Sequence, residues 1–122
     1  MKVFVYYNLH KKVFSVKALE GLNKGRVIAH LAELNLSQAT FKVSEAGRQR
    51  VLKEQRKNVH AGVVGEWYGT VDNINRLLVM EYGIPVTYNP YKYSSFVVKA
   101  TEQPIHQARE VHLKNRTITA LV

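Results

Sequence analysis

Apolar and polar side chains alternate most clearly near the start of the chain. Val13 to Ala18 (VFSVKA) places Phe14, Val16 and Ala18 on one face and Ser15 and Lys17 on the other, the period-two signature of a half-exposed strand. Lys2 to Tyr7 (KVFVYY) is apolar on both faces, as expected of an interior strand covered above and below. The five residues Asn8 to Lys12 lie between the two runs and suit a hairpin loop. Gly21-Leu22-Asn23-Lys24-Gly25 makes a second break before Arg26 to His30 (RVIAH), which reads as a third strand. The N-terminal third is therefore expected to be a β-meander.

After Phe41 the period changes. Ser44 is a good N-cap ahead of an acidic first turn, and the absence of proline predicts a helix from about Glu45 to Lys57. Its apolar residues, Ala46, Val51 and Leu52, are few, so most of its circumference must meet solvent or a polar ligand. Arg48, Leu52 and Arg56 share one stripe at i, i+4 and i+8, which would set two guanidinium groups on one side, roughly 12 Å apart at the backbone. Val59 to Tyr68 returns to a β pattern containing two glycines. Val71, Ile74, Leu77, Leu78 and Tyr82 then recur at helical spacing, with Gly83 placed to end the turn, predicting a second helix over about 71–82 with a conventional core face. Pro85 and Pro90 bracket Val86 to Asn89. Ser95 to Ala100 reads as a short strand, broken by Glu102-Gln103-Pro104. Val111 to Leu113 and Thr117 to Val122 are strand-like runs separated by a turn at Lys114-Asn115-Arg116. No repeat or linker interrupts the pattern, so the expected architecture is a single α+β domain over residues 1–122, a largely antiparallel β-sheet with two helices.

Composition narrows the chemistry. The 122 residues are enough for one core, burying about two thirds of the surface the unfolded chain exposes. With no cysteine, disulfides and thiolate metal sites are excluded. The N-terminal apolar run is too short for a signal peptide or a membrane span, so neither export nor a membrane anchor is expected. A net charge of +9 and a pI near 9.9 favour anionic partners, with plain solubility as the competing explanation. Phe41 to His60 alone holds six of the eighteen Lys and Arg against two Glu, and so supplies four of the nine net charges.

Catalytic groups are scarce. Asp72 is the single aspartate and lies where helix capping explains it, and the eight glutamates are scattered among basic residues. His10, His30, His60, His106 and His112 have no metal-ligand spacing, and His30 and His60, at strand ends, read as structural residues. There is no G-x-S-x-G, and Gly21 to Gly25 lacks the order of a phosphate-binding loop. No enzyme activity, cofactor or metal is expected. The segment Tyr88-Asn89-Pro90-Tyr91-Lys92-Tyr93 is more telling, since it combines flat π faces, an amide and a cation in one irregular loop. Such parts suit a nucleobase and its phosphate, where stacking is worth about 1–3 kcal/mol per base. An Asn-Pro turn with tyrosines packed inward accounts for the same residues. The basic helix likewise has a plain reading, a solvated face with Arg50 and Glu54 paired at i, i+4. Arg26, Arg48, Arg56 and Arg109 stand in four separate segments, a distribution better suited to a compact pocket than to a nucleic-acid rail. In so small a domain, a pocket between subunits is the easier one to close.

VYYNLHKKVFSVKALEG, GRVIAH, TFKVSEAGRQRVLKEQRKNVHAGVVG and TYNPYKYSSFV together resemble a family of small phage proteins that counter the bacterial Thoeris defence, over nearly the whole chain. The resemblance implies a sponge: a homo-oligomer that sequesters cyclic ADP-ribose isomers without cleaving them, some members also holding cyclic oligonucleotides. It further implies residence in the cytoplasm of the infected host. By their chemistry, Asn89 and Tyr91 are the candidates for the purine. Arg109 with Arg26, Arg48 or Arg56 are those for the pyrophosphate. Two other readings compete: a basic protein that binds single-stranded nucleic acid, and a protein-binding inhibitor of a host factor.

Overall fold

The computed structural model describes residues 1–56, 58–69 and 73–122. Strands β1 (Lys2–Asn8) and β2 (Val13–Ala18) form the expected hairpin, with Val5 opposite Val16 and Tyr7 opposite Phe14. Asn8 shapes its loop: the side-chain oxygen accepts from the backbone N–H groups of His10 and Lys11, each at 3.0 Å. Strand β3 (Val27–Leu31) pairs with β2 and completes the meander. Ser15 alternates away from the core as predicted, yet it is fully buried. Its hydroxyl accepts from Asn8 Nδ2 at 3.1 Å and lies 3.0 Å from His30 Nδ1.

The largest departure from the sequence reading is β4 (Glu33–Val43), an eleven-residue strand in a stretch to which the pattern assigned no element. Its inward residues are Leu34 and Leu36, then Ala39 and Phe41, so the parity switches midway. The cause is a bulge: Ser37 pairs with Glu66 and Thr40 with Val64, leaving one extra residue on β4, and Gln38 takes a left-handed φ of 49°. Period-two alternation is broken at the point where it would have been read.

Helix α1 (Glu45–Glu54) begins at Ser44 and stops three residues before the predicted end, where Gln55 turns left-handed with φ 53°. Arg56 therefore lies beyond the helix and not on a stripe with Arg48; Lys57 falls outside the described residues. Strand β5 (Ala61–Glu66) is shorter than predicted. Helix α2 (Asn73–Tyr82) follows, with Val71 and Asp72 outside the described residues; Leu77, Leu78 and Tyr82, expected on a core face, are exposed, and Val79 is the buried residue instead. Strands β6 (Ile84–Thr87), β7 (Val97–Val98), β8 (Gln107–Lys114) and β9 (Thr117–Leu121) complete the chain. The run Ser95 to Ala100 thus contributes only two strand residues, while the run around Val111 extends to eight.

The nine strands make one open sheet in the order β3-β2-β1-β5-β4-β8-β9-β6-β7, with every described pair antiparallel. With its two helices the molecule is α+β. The sheet is folded over on itself. Phe41 on β4 and Phe96 beside β7 are four strand spacings apart, roughly 19 Å in a flat sheet, yet their ring centroids are 5.1 Å apart. The guanidinium of Arg116, in the β8–β9 turn, lies 5.0 Å over the Tyr7 ring on β1. Strand β4 pairs with β5 towards one end and with β8 along most of its length, so it is the corner between two halves and the bulge is the bend. Val3, Val5, Phe14 and Val16 from one half join Val86, Phe96, Val111, Leu113 and Ala120 from the other in one core.

Candidate functional site

Helix α1 and the tyrosine segment come together through Arg48. Ser44 Oγ accepts from Gly47 N–H at 3.2 Å and fixes the start of the helix. Gly47 allows α1 to lie close against the strand that follows: a β-carbon there would sit 2.5 Å from His60 Cβ. One residue on, Arg48 Nε donates to the carbonyls of Pro90 (3.0 Å) and Tyr93 (2.9 Å), while Nη1 pairs with Glu45 Oε1 at 3.1 Å. The predicted Arg50–Glu54 pair is not among the described ion pairs; Glu45 takes up Arg48 and Gln49 instead.

Each residue of the tyrosine segment has a distinct task. Tyr88 turns inward, its ring 5.1 Å from Phe96 and its hydroxyl 2.7 Å from His60 Nε2. His60 Nδ1 lies 3.1 Å from the Asn58 carbonyl, which can only accept. Nδ1 therefore carries the proton, and Nε2 accepts from Tyr88. Burial pushes the Tyr88 hydroxyl above its ordinary pKa, partly opposed by the Arg48 charge. Asn89 makes the turn: Oδ1 accepts from Tyr91 N–H, and its carbonyl accepts from Lys92 and Tyr93. Tyr93 donates its hydroxyl to Glu102, and that hydrogen bond raises its pKa. Tyr91 alone of the three points out, 61% exposed, beside exposed Lys92. The Asn-Pro turn and the packed tyrosine of the plain reading are thus both present, and one aromatic face remains open.

Arg109 belongs to a different place. It lies on β8 across from the β4 bulge and lines a surface concavity of about 440 Å³ with Gln38, Thr40 and Gln107, floored by Ala39 and Ala108 and bordered by Val122. Two amides, a hydroxyl and a guanidinium over an apolar floor can hold a polar, anionic molecule of modest size. Gln38, Thr40 and Gln107 were invisible to sequence reasoning, because only the bulge and the β4–β8 pairing bring them together. Arg26 stands in the turn before β3, at the sheet edge opposite β7, and Arg56 is exposed beyond α1. Among the described residues, no hydrogen bond or ion pair joins Arg26, Arg56 or Arg109 to the tyrosine segment; Arg48 alone reaches it, and does so through backbone carbonyls.

A third polar cluster lies under α2. Glu33 accepts from His112 Nε2 at 2.5 Å and faces Arg76 Nη1 at 3.8 Å. Asn35 is 7% exposed, and among the described residues neither its Nδ2 nor its Oδ1 has a partner; Arg76 Nε is likewise buried and, among the described residues, unpaired. Among the described residues, no group of three His, Asp or Glu side chains is placed to hold a metal, and no helix is long and apolar enough to cross a membrane.

No solved structure matches the chain. Residues 1–121 match the family described as Mycobacterium phage L5 gene 82 protein. The gene 82 protein of Mycobacterium phage L5 is 40% identical over 127 residues, covering 98% of this chain and 95% of that protein. This chain therefore belongs to the phage protein family of the Mycobacterium phage L5 gene 82 protein.

Proposed function

We propose that the protein is a phage anti-defence sponge: a homo-oligomer in the infected host's cytoplasm that binds cyclic ADP-ribose-type signals without cleaving them and so blocks Thoeris-type immunity. The observation that carries the reading is the concavity holding Arg109. Its volume of about 440 Å³ is within the range of small-molecule sites, and its polar groups suit a pyrophosphate beside a polar ring. Membership of a phage family and the near-full-length resemblance to anti-Thoeris proteins support the same conclusion. Tyr91, exposed at the separate Asn89 turn, is the candidate stacking face for the purine, and Arg48 acts by holding that loop.

Calorimetric titration with cyclic ADP-ribose isomers tests this directly. A stoichiometric heat is expected, together with recovery of intact ligand after denaturing the complex. Arg109→Ala should weaken binding at least about tenfold, as loss of a charge-assisted hydrogen bond does. Absence of heat or thermal shift at ligand concentrations near 100 μM (on the order of saturation for weak micromolar binding) would remove the sponge reading. Binding to generic single-stranded oligonucleotides that collapses with rising salt would replace it with the nucleic-acid reading.

A further inference from the structure

Two turns far apart in the chain meet at one corner of the folded sheet, and both carry cations. Arg116, in the β8–β9 turn, sets its guanidinium 5.0 Å over the ring of Tyr7, near the end of β1. The β1–β2 loop is drawn tight at that end, where the Asn8 carbonyl accepts from Lys12 N–H at 2.7 Å. Lys11, Lys12, Lys114 and Arg116 are all exposed, and among the described residues none of them is in an ion pair. Glu33, opposite Lys114 in the β4–β8 register, is already engaged by His112 and Arg76. Residues 1–19 and 111–122 contain no Asp or Glu. The backbone sharpens the picture. Asn115 and Arg116 are both left-handed, with φ 51° and 66°, the hairpin turn for which Asn-Gly is the favoured pair. Arg116 thus stands where glycine would be easier, and Lys12, with φ 57°, does the same in the other turn. Turn geometry accounts for neither side chain.

We propose that this corner is a nucleic-acid contact, gripping the phosphate backbone of a duplex without reading its bases. A duplex presents one charge per about 1.7 Å of its axis, a dense and regular anion suited to four unpaired cations in a small area. Acidic protein surfaces space their carboxylates more widely and intersperse cations among them. A single strand would need an open aromatic face. Tyr7 is not free to supply one, since Phe14 lies 5.4 Å away at 81° and Arg116 covers the ring. Leu9, 42% exposed, is the one large apolar side chain on the two turns, too little to anchor the corner in a lipid surface. None of the arginines weighed for the sponge pocket takes part. Lys114 lies five residues along β8 from Arg109, about 17 Å at strand spacing, so the inference is independent of the sponge reading.

Fluorescence anisotropy with a mixed-sequence DNA duplex of about 20 base pairs, between about 50 and about 200 mM salt, tests the contact. Four phosphate contacts predict that log K falls against log salt with a slope of about −3.6. The Lys12→Gly, Arg116→Gly double variant should weaken binding at least about tenfold at low salt and flatten the slope by about 2. Its urea midpoint should be no lower than that of the wild type, because glycine suits both turns. Should that variant lose its fold, Lys11→Gln with Lys114→Gln makes the same test at exposed positions. Arg50→Gln with Lys53→Gln removes equal charge from exposed positions on α1 and should leave the slope unchanged. No binding up to about 100 μM protein at about 50 mM salt overturns the proposal. So does an equal loss in the α1 variant, which would reduce the effect to net charge, or binding to poly-glutamate as tight as to the duplex. Saturating cyclic ADP-ribose should not displace the duplex, and displacement would likewise overturn a separate site.

Discussion

Glu33 and Arg48 illustrate what single residues decide. The Glu33 carboxyl is held below its ordinary value of 4.5 chiefly by the hydrogen bond from His112, with the charges of His112, Lys114 and Arg76 adding to it and burial opposing. A depressed folded-state pKa stabilises the fold above the unfolded value and is lost as pH falls through the folded one. Glu33→Gln should therefore lose less stability than the wild type between about pH 7 and about pH 3, read from urea midpoints. Equal losses would remove Glu33 from the acid limb. Arg48→Met should destabilise by about 1–3 kcal/mol, because the carbonyls of Pro90 and Tyr93 lose a charged donor. Thermal melts with proteolysis of the 88–93 segment would check it. Ser44 and Asn89 were legible in the sequence because each bonds a backbone group two or three residues away. The partners of Arg48 lie 42 and 45 residues away, and no local pattern could name them.

Among the elements, those with an unbroken period were the ones that could be read. Strand β2 matches its predicted bounds, and α1 starts at its predicted cap. Strand β4 escaped because its bulge swaps the inward parity halfway along. Helix α2 was found, but its orientation was not: periodicity locates an apolar stripe and cannot say whether the sheet or another surface will cover it. The end of α1 was overestimated because no glycine or proline marks it; Gln55 adopts the left-handed conformation unaided. Gln55→Gly should accordingly stabilise the protein by about 1 kcal/mol through relief of that conformation. A urea midpoint that falls or does not move would mean that the cap is held by something other than its backbone preference.

At the scale of the whole molecule, one core spans both halves of the folded sheet, so neither half should melt alone. Trp67, the single tryptophan, follows β5 in the first half and packs against the shared core. Its fluorescence and the far-ultraviolet circular dichroism should report one coincident transition, and two separated midpoints would contradict a shared core. The fold class followed from composition and pattern, since strands dominate and two helical runs interrupt them. The strand order did not, because it depends on pairings between segments far apart in the chain. The candidate site had the same fate: Arg109 was named for its chemistry, whereas the amides around it required the β4–β8 register.

The place of β9 sets a timetable for synthesis. It separates β8 from β6 in the sheet, although its first residue, Thr117, comes 33 residues after Ile84, which opens β6. On a ribosome, β6 would emerge and wait roughly 2–7 s, and β7 roughly 1–4 s, before the strand that joins them to the rest exists. The N-terminal meander can pair as it appears, but the β6–β7 hairpin has no sheet to join until then. During that interval Val86 and Phe96, later buried in the core, are open to chaperones or to neighbouring chains. Slowing translation between these strands should therefore lower the yield of folded protein, even though the finished molecule is unchanged.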